Sequence, residues 1–143
     1  MKFDSKKDIL FSIIILGINA FLVGITTVGI INGEMEKYEY WTLILILAVV
    51  GLLFWLYFRT NYELSKENGL IYRSGPFNGK ISVDRITEII KGKTLWVGFR
   101  PATSRKELII KYDKYNEIYI SPKTNESFIK KILELNKSIK ITE

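Results

Sequence analysis

Histidine and cysteine, two residue types that carry much of enzyme chemistry, are absent from this 143-residue chain. Without histidine there is no common general base, no Ser-His-Asp relay and no imidazole metal ligand. Without cysteine there is no thiolate nucleophile, thiolate zinc site or disulfide. A magnesium or calcium site can be built from carboxylates, but the acidic residues are scattered, with no Asp-x-Asp pair. No Gly-x-x-x-x-Gly-Lys-Thr loop is present to cradle phosphates. Composition therefore argues against an enzyme and implies no cofactor.

The remaining candidates are binding residues. Lys66 and Arg73 sit around one turn, and Arg100, Arg105 and Lys106 surround a Pro-Ala-Thr-Ser loop. These five are the candidate contacts for an anionic surface. From residue 59 onward there are 17 Lys/Arg against 10 Asp/Glu. That bias suits an anionic membrane leaflet or an acidic partner, and equally a solvated Lys-rich surface. Nucleic acid is not expected, because the aromatics Tyr72, Trp96, Phe99, Tyr112 and Tyr119 fall in segments read as strands, where about half should be core.

The element that positions everything else is the apolar stretch 9–58. Ile9–Ile31 has 23 residues, no charge, and only Ser12, Asn19, Thr26 and Thr27 polar. It would extend about 34 Å as a helix, enough to cross a bilayer with some tilt. Tyr40–Phe58 has 19 residues with only Thr42 polar, about 28 Å long as a helix. A cleaved signal peptide fits poorly, since the first run is too long, no Ala-x-Ala site follows, and a second span comes at once. The short link 32–39 predicts an antiparallel hairpin. Lys2, Lys6 and Lys7 precede the hairpin and Arg59, Lys66 and Arg73 follow it, whereas the link carries Glu34, Glu36 and Glu39 with Lys37 alone. The positive-inside rule then puts both termini on the cytoplasmic side and the link outside. Tyr38, Tyr40 and Trp41 mark the outer interface, Trp55 and Tyr57 the inner one.

Two faces of the first helix differ. Gly17, Ala20 and Gly24 form a small-residue face that would admit Ala48 and Gly51 of the second helix. Ser12, Asn19 and Thr26 form a polar stripe about a third of a turn away. Asn19 lies near mid-bilayer, where an unpaired amide is costly. It would either pair in a homo-oligomer or with a membrane partner, or bond a backbone carbonyl of its own hairpin.

After an N-terminal stub, 1–8, and the hairpin, residues 62–143 read as one mainly-β domain. Segments 62–65 and 70–74 flank a turn containing Gly69. Ser74 to Gly79 reads as a loop, 80–83 and 86–91 as strands, 94–99 as a fifth strand, and 108–112 and 117–120 as two more. Seven short strands at regular spacing argue for an antiparallel barrel or sandwich. A C-terminal amphipathic helix follows Ser121-Pro122, its apolar stripe formed by Phe128, Ile129, Ile132, Leu133 and Leu135. That stripe would pack on the barrel rather than lie on a membrane. Residues 139–143 read as a tail.

Seven strands capped by a C-terminal helix is the order of a pleckstrin-homology (PH) domain. The residues resemble more closely the bacterial PH-like domains of the YyaB type, over about residues 60–140. Tyr62-Glu63-Leu64 with Gly69-Leu70-Ile71, the segment from Ile81 to Ile89, and Ile118-Tyr119-Ile120-Ser121-Pro122 followed by Phe128-Ile129 and Leu133 carry the likeness. The resemblance implies a PH-like fold joined to N-terminal membrane helices. It implies no settled activity, so no functional residue is carried over. Compared with lipid-binding PH domains, the first hairpin holds Lys66 and Arg73 but Ile71 and Tyr72 between them, an incomplete phosphoinositide cradle. The reading is a membrane-anchored interaction module with a protein or peptide partner. Alternatives are a bacteriocin self-immunity or envelope-stress factor, and a domain that senses anionic lipid headgroups.

Overall fold

The computed structural model describes residues 1–33 and 40–143. Most of the acidic link, including Glu34, Glu36, Lys37, Tyr38 and Glu39, lies outside the described residues.

Ile9–Ile31 forms α1 and Tyr40–Phe58 forms α2, both long and apolar enough to cross a membrane. The Asp8 carboxylate caps α1 by accepting from the Leu10 amide, satisfying one of the free donors that begin any helix. The helices run antiparallel, since Tyr57 near the end of α2 stacks on Phe11 at 6.4 Å and its hydroxyl meets that of Ser12 at 2.6 Å. Reduced exposure marks Ser12, Ile15, Asn19, Leu22 and Thr26 on α1, and Leu43, Ile46, Val50, Leu53 and Tyr57 on α2. These spacings alternate three and four, the seam of a left-handed helix pair.

The seam is therefore the polar stripe, not the small-residue face. Gly17, Ala20, Gly24, Ala48 and Gly51 are all exposed. A Cβ on Gly17, Gly24 or Gly51 would meet nothing within 4 Å. The expected close approach through these five residues does not occur. The two stripes lie on different sides of α1, so only one can face α2, and turning the polar one inward keeps Asn19 and the hydroxyls away from lipid.

The domain contains two four-stranded sheets. The first is ordered β1 (Lys2–Asp4), β2 (Asn61–Ser65), β3 (Gly69–Ser74), β4 (Phe77–Ile81), all antiparallel. The second is ordered β7 (Asn116–Ile120), β6 (Glu107–Tyr112), β5 (Ile86–Lys93), β8 (Lys140–Thr142), with β8 parallel to β5. One core draws Tyr62, Leu64, Leu70 and Ile81 from the first sheet and Ile89, Leu108, Ile110 and Ile118 from the second. Helix α3 (Asn125–Leu135) adds Phe128 and Ile132 to it.

This departs from a seven-stranded closed barrel in several places. There are eight strands among the described residues, in two separate sheets. The N-terminal stub contributes β1, with Phe3 buried beside Phe128 at 5.3 Å. Gly75, at φ +56, makes a two-residue turn, so β4 begins at Phe77 rather than Lys80. The expected strand 94–99 is mostly loop: only Phe99 bridges, to Ile118. Its would-be partner segment, 101–105, is drawn away into hydrogen bonds described below. The tail is β8: Asn136 ends α3, its side-chain amide donates to the Val83 carbonyl, and the chain returns along β5.

Two glycines give opposite expectations. Gly69 has φ +69, and a Cβ there would collide with the Ile81 carbonyl; Gly69→Ala should cost about 2 kcal/mol or more. Gly17 has open space around it, so Gly17→Ala should be neutral or stabilising by up to about 1 kcal/mol. Thermal unfolding of both variants in detergent checks the pair, and a destabilised Gly17→Ala would return that residue to a helix interface.

Candidate functional site

The candidate site is the junction where the hairpin meets the domain, because the chain crosses it twice. Going in, β1 pairs with β2, and the Met1 ammonium donates to the Leu64 carbonyl at 2.5 Å. The segment then reaches Ser5, which is buried. The Ser5 hydroxyl meets Thr103 Oγ1 and Ser121 Oγ, each at 2.8 Å, and Tyr62 Oη at 3.2 Å. Tyr62 donates to the Pro101 carbonyl and accepts from the Ser121 amide at 3.1 Å. Burial pushes the Tyr62 phenol above its ordinary value, so it stays a neutral donor. Thr103 Oγ1 also donates to the Lys6 carbonyl at 2.7 Å. Four hydroxyls from four parts of the chain thus satisfy one another inside the domain.

Coming out, Thr60 donates to the Leu56 carbonyl at 2.6 Å and meets Ser74 Oγ at 3.0 Å, fastening the end of α2 to β3. Lys7 lies over the Tyr57 and Phe58 rings at 4.6 and 4.5 Å, a cation–π contact at the helix end.

Beside the hydroxyl cluster is a buried carboxylate. Glu107 is 2% exposed. It pairs with Lys6 Nζ at 2.8 Å and accepts from Ser104 Oγ at 2.8 Å and from Asn125 Nδ2 at 2.6 Å. The hydrogen bond from Lys6 to Glu107, then their mutual attraction, holds the Lys6 ammonium above its ordinary value. Arg105 bonds Asp8 at 2.6 Å and holds that carboxyl below its ordinary value. Among the described residues no three acidic side chains converge on a metal-sized space.

The five candidate cations do not form one patch. Lys66 lies in the β2–β3 turn, at the end of β2 away from α2. Arg73 lies across from Asn61 at the near end and pairs with Glu63 at 3.6 Å. Arg105 and Lys106 line an open cleft of about 500 Å³ with Lys6, Lys7 and Trp96. Arg100 stacks over Tyr119 at 5.1 Å and lines a second cleft of about 210 Å³ with Phe11, Ile15 and Leu53. Arg100, Arg105 and Lys106 thus gather at the hairpin end, joined by Lys6 and Lys7. In the sequence, those two lysines bear only on orientation. Phe3 and Ser5 are buried in alternation, but in the sequence Phe3 is the single apolar residue of the segment 2–8, too little to register as a strand.

Asn19 is 3% exposed and faces the seam. Its Nδ2 donates to the Ile15 carbonyl at 2.7 Å, and its Oδ1 is buried without a partner among the described residues. Half of the amide is satisfied within α1.

A family model described as "Bacterial PH domain" matches residues 60–136. The chain is 30% identical over 140 residues to the uncharacterized protein YyaB of Bacillus subtilis (strain 168), covering 97% of this chain and 95% of that protein. No solved structure matches it.

Two substitutions test the junction and the seam. Thr103→Val should cost about 1–3 kcal/mol, by taking the donor from the Lys6 carbonyl and one of several partners from the Ser5 hydroxyl. Hydrogen exchange should quicken chiefly in residues 2–8, and unchanged protection there would show that the cluster does not hold this segment. Asn19→Leu removes a buried orphan acceptor and should be neutral or stabilising by about 1 kcal/mol. Oligomer size in detergent should not change, because the amide faces its own hairpin; a smaller particle would overturn that.

Proposed function

Because the chain belongs to the bacterial PH domain family, we propose that it is a membrane-anchored interaction module. It performs no chemistry of its own, and its basic PH-like domain is held at the inner leaflet to bind a protein or peptide. PH domains are generally non-catalytic. The observation that carries the reading is the double attachment: β1 enters the first sheet before α1 begins, and β2 enters it with only Arg59 and Thr60 between it and the end of α2. A domain fixed at both ends of a hairpin presents its surfaces at set heights above the bilayer. Lys2, Lys6, Lys7 and Arg59 lie at that end, which supports a cytoplasmic placement by the positive-inside rule.

The partner would add a strand to β4. β1 and β8 are only three residues long, and part of the β7 edge is taken by Phe99. β4 is five residues long, pairs only with β3 among the described residues, and exposes Phe77, Asn78 and Lys80. An extended peptide laid along it would gain main-chain hydrogen bonds, with alternate side chains giving specificity.

The absence of native cysteine makes the tests direct. Cysteine at Lys123 should be blocked in intact cells only by a membrane-permeant maleimide; blocking by an impermeant one would reverse the topology. A photo-crosslinking residue at Asn78 should give a discrete adduct in native membranes, and the same residue at Lys130 on α3 should not. Equal adducts at both positions, or none at Asn78, would remove β4 as the binding edge.

A further inference from the structure

Outside α1 and α2, the connection between β5 and β6, residues 94–106, carries a cluster of exposed apolar side chains. Trp96 is 83% and Val97 82% exposed. Phe99 is also exposed, with Phe77 beside it at 6.2 Å. Gly92 and Gly98, at φ +72 and +111, bracket the segment where it leaves the sheet.

Its place follows from the clefts it lines. Trp96 shares a cleft with Lys6, Lys7 and Ile9, the first residue of α1. Arg100 and Ala102 share the other cleft with Phe11, Ile15 and Leu53; Ile15 lies about 9 Å along the helix from Ile9. The loop therefore stands level with the first turns of a helix long and apolar enough to enter a bilayer. Cations surround it. Lys6 and Arg105 are paired with Glu107 and Asp8, while Arg100 and Lys106 make no ion pair among the described residues. An amphipathic tryptophan at headgroup depth, apolar neighbours and unpaired cations together match a lipid interface.

We propose that residues 96–99 form a foot that enters the leaflet from which the hairpin emerges. Trp96, Val97 and Phe99 sit in the boundary between headgroups and acyl chains, about 5–10 Å deep. Arg100 and Lys106 pair with the phosphates of anionic phospholipids around them. The foot rests on the reading of the hairpin as a membrane anchor.

The test uses the full chain in vesicles of phosphatidylglycerol and phosphatidylcholine, with an environment-sensitive fluorophore on a single cysteine. Val97→Cys reports the foot, Leu47→Cys in α2 reports the anchor, and Tyr115→Cys in the β6–β7 turn reports water; all three positions are exposed. The Val97 probe should be quenched by shallow nitroxide lipids several-fold more strongly than the Tyr115 probe. Deep nitroxides should quench the Leu47 probe. If Leu47 is in lipid but Val97 behaves like Tyr115, the foot is wrong and the anchor stands. If Leu47 is also in water, the anchor itself fails. Quenching at Val97 should weaken several-fold when phosphatidylcholine replaces phosphatidylglycerol. The Arg100→Gln, Lys106→Gln double variant should lose that dependence; a retained dependence would overturn the role of the two cations.

Discussion

The structure depends on a cluster of buried hydroxyls that closes only when the N-terminus returns to the domain. Ser5 comes from the segment before α1, Tyr62 from β2, Thr103 from the β5–β6 loop and Ser121 from the end of β7. Each one bonds another, so removing Ser5 from its place would strand several buried polar groups at once. Ordering residues 1–8 costs about 1–2 kcal/mol of backbone entropy per residue. That cost is offset because the segment adds β1 to a sheet edge, buries Phe3 beside Phe128 and completes the hydroxyl cluster. A free N-terminus would leave Thr103 and Ser121 short of partners and the first sheet one strand narrower.

The same return decides where charge sits. Once Ser5 is buried, Lys6 is carried to Glu107, Lys7 to the Tyr57 and Phe58 rings, and Asp8 to the start of α1 within reach of Arg105. The Lys6 and Asp8 contacts join the hairpin's root to the domain, and the Lys7 contact ties the start of α1 to the end of α2. Exposed ion pairs alone would hold this arrangement weakly. Glu107 is different because it is enclosed and has three side-chain donors around it, so leaving it unpaired would be expensive. The basic residues near the hairpin are thus partly fixed by local pairing, and Arg100 and Lys106 are left available.

Elements with long or distinctive patterns were legible in the sequence. The two apolar runs coincide with α1 and α2, and Gly69, Phe128 and Ile132 hold the turn and core positions their types suggest. What was not legible depended on contacts far apart in the chain. Phe3 and Ser5 are too few to show a period, and β1 exists because β2 offers an edge some sixty residues later. Residues 94–97 have strand-forming side chains, but their opposite segment is held by Ser121 and the Lys6 carbonyl, so no ladder forms. On α1, the glycine stripe and the polar stripe were both plausible contact faces. Avoidance of lipid by Asn19 and its hydroxyl neighbours outweighs close glycine packing, which periodicity alone does not rank.

A buried cluster of Ser, Thr and Tyr with a nearby Lys and Glu contains groups that serve as nucleophiles elsewhere. Here their bonding points another way. A hydroxyl nucleophile needs a base free to take its proton, whereas Ser5, Thr103 and Ser121 face one another, Tyr62 and backbone carbonyls. Lys6 is held in its charged form by Glu107, and Tyr62 is kept neutral by burial. Neither acts as a base near neutral pH. The cluster is arranged as a joint, with every proton already shared between structural partners. A joint of this kind has value where orientation matters, and here it fixes the exposed β4 edge and the Trp96 loop relative to two helices. In the proposed module, the functional weight falls on which surface is shown to the membrane and which to a partner.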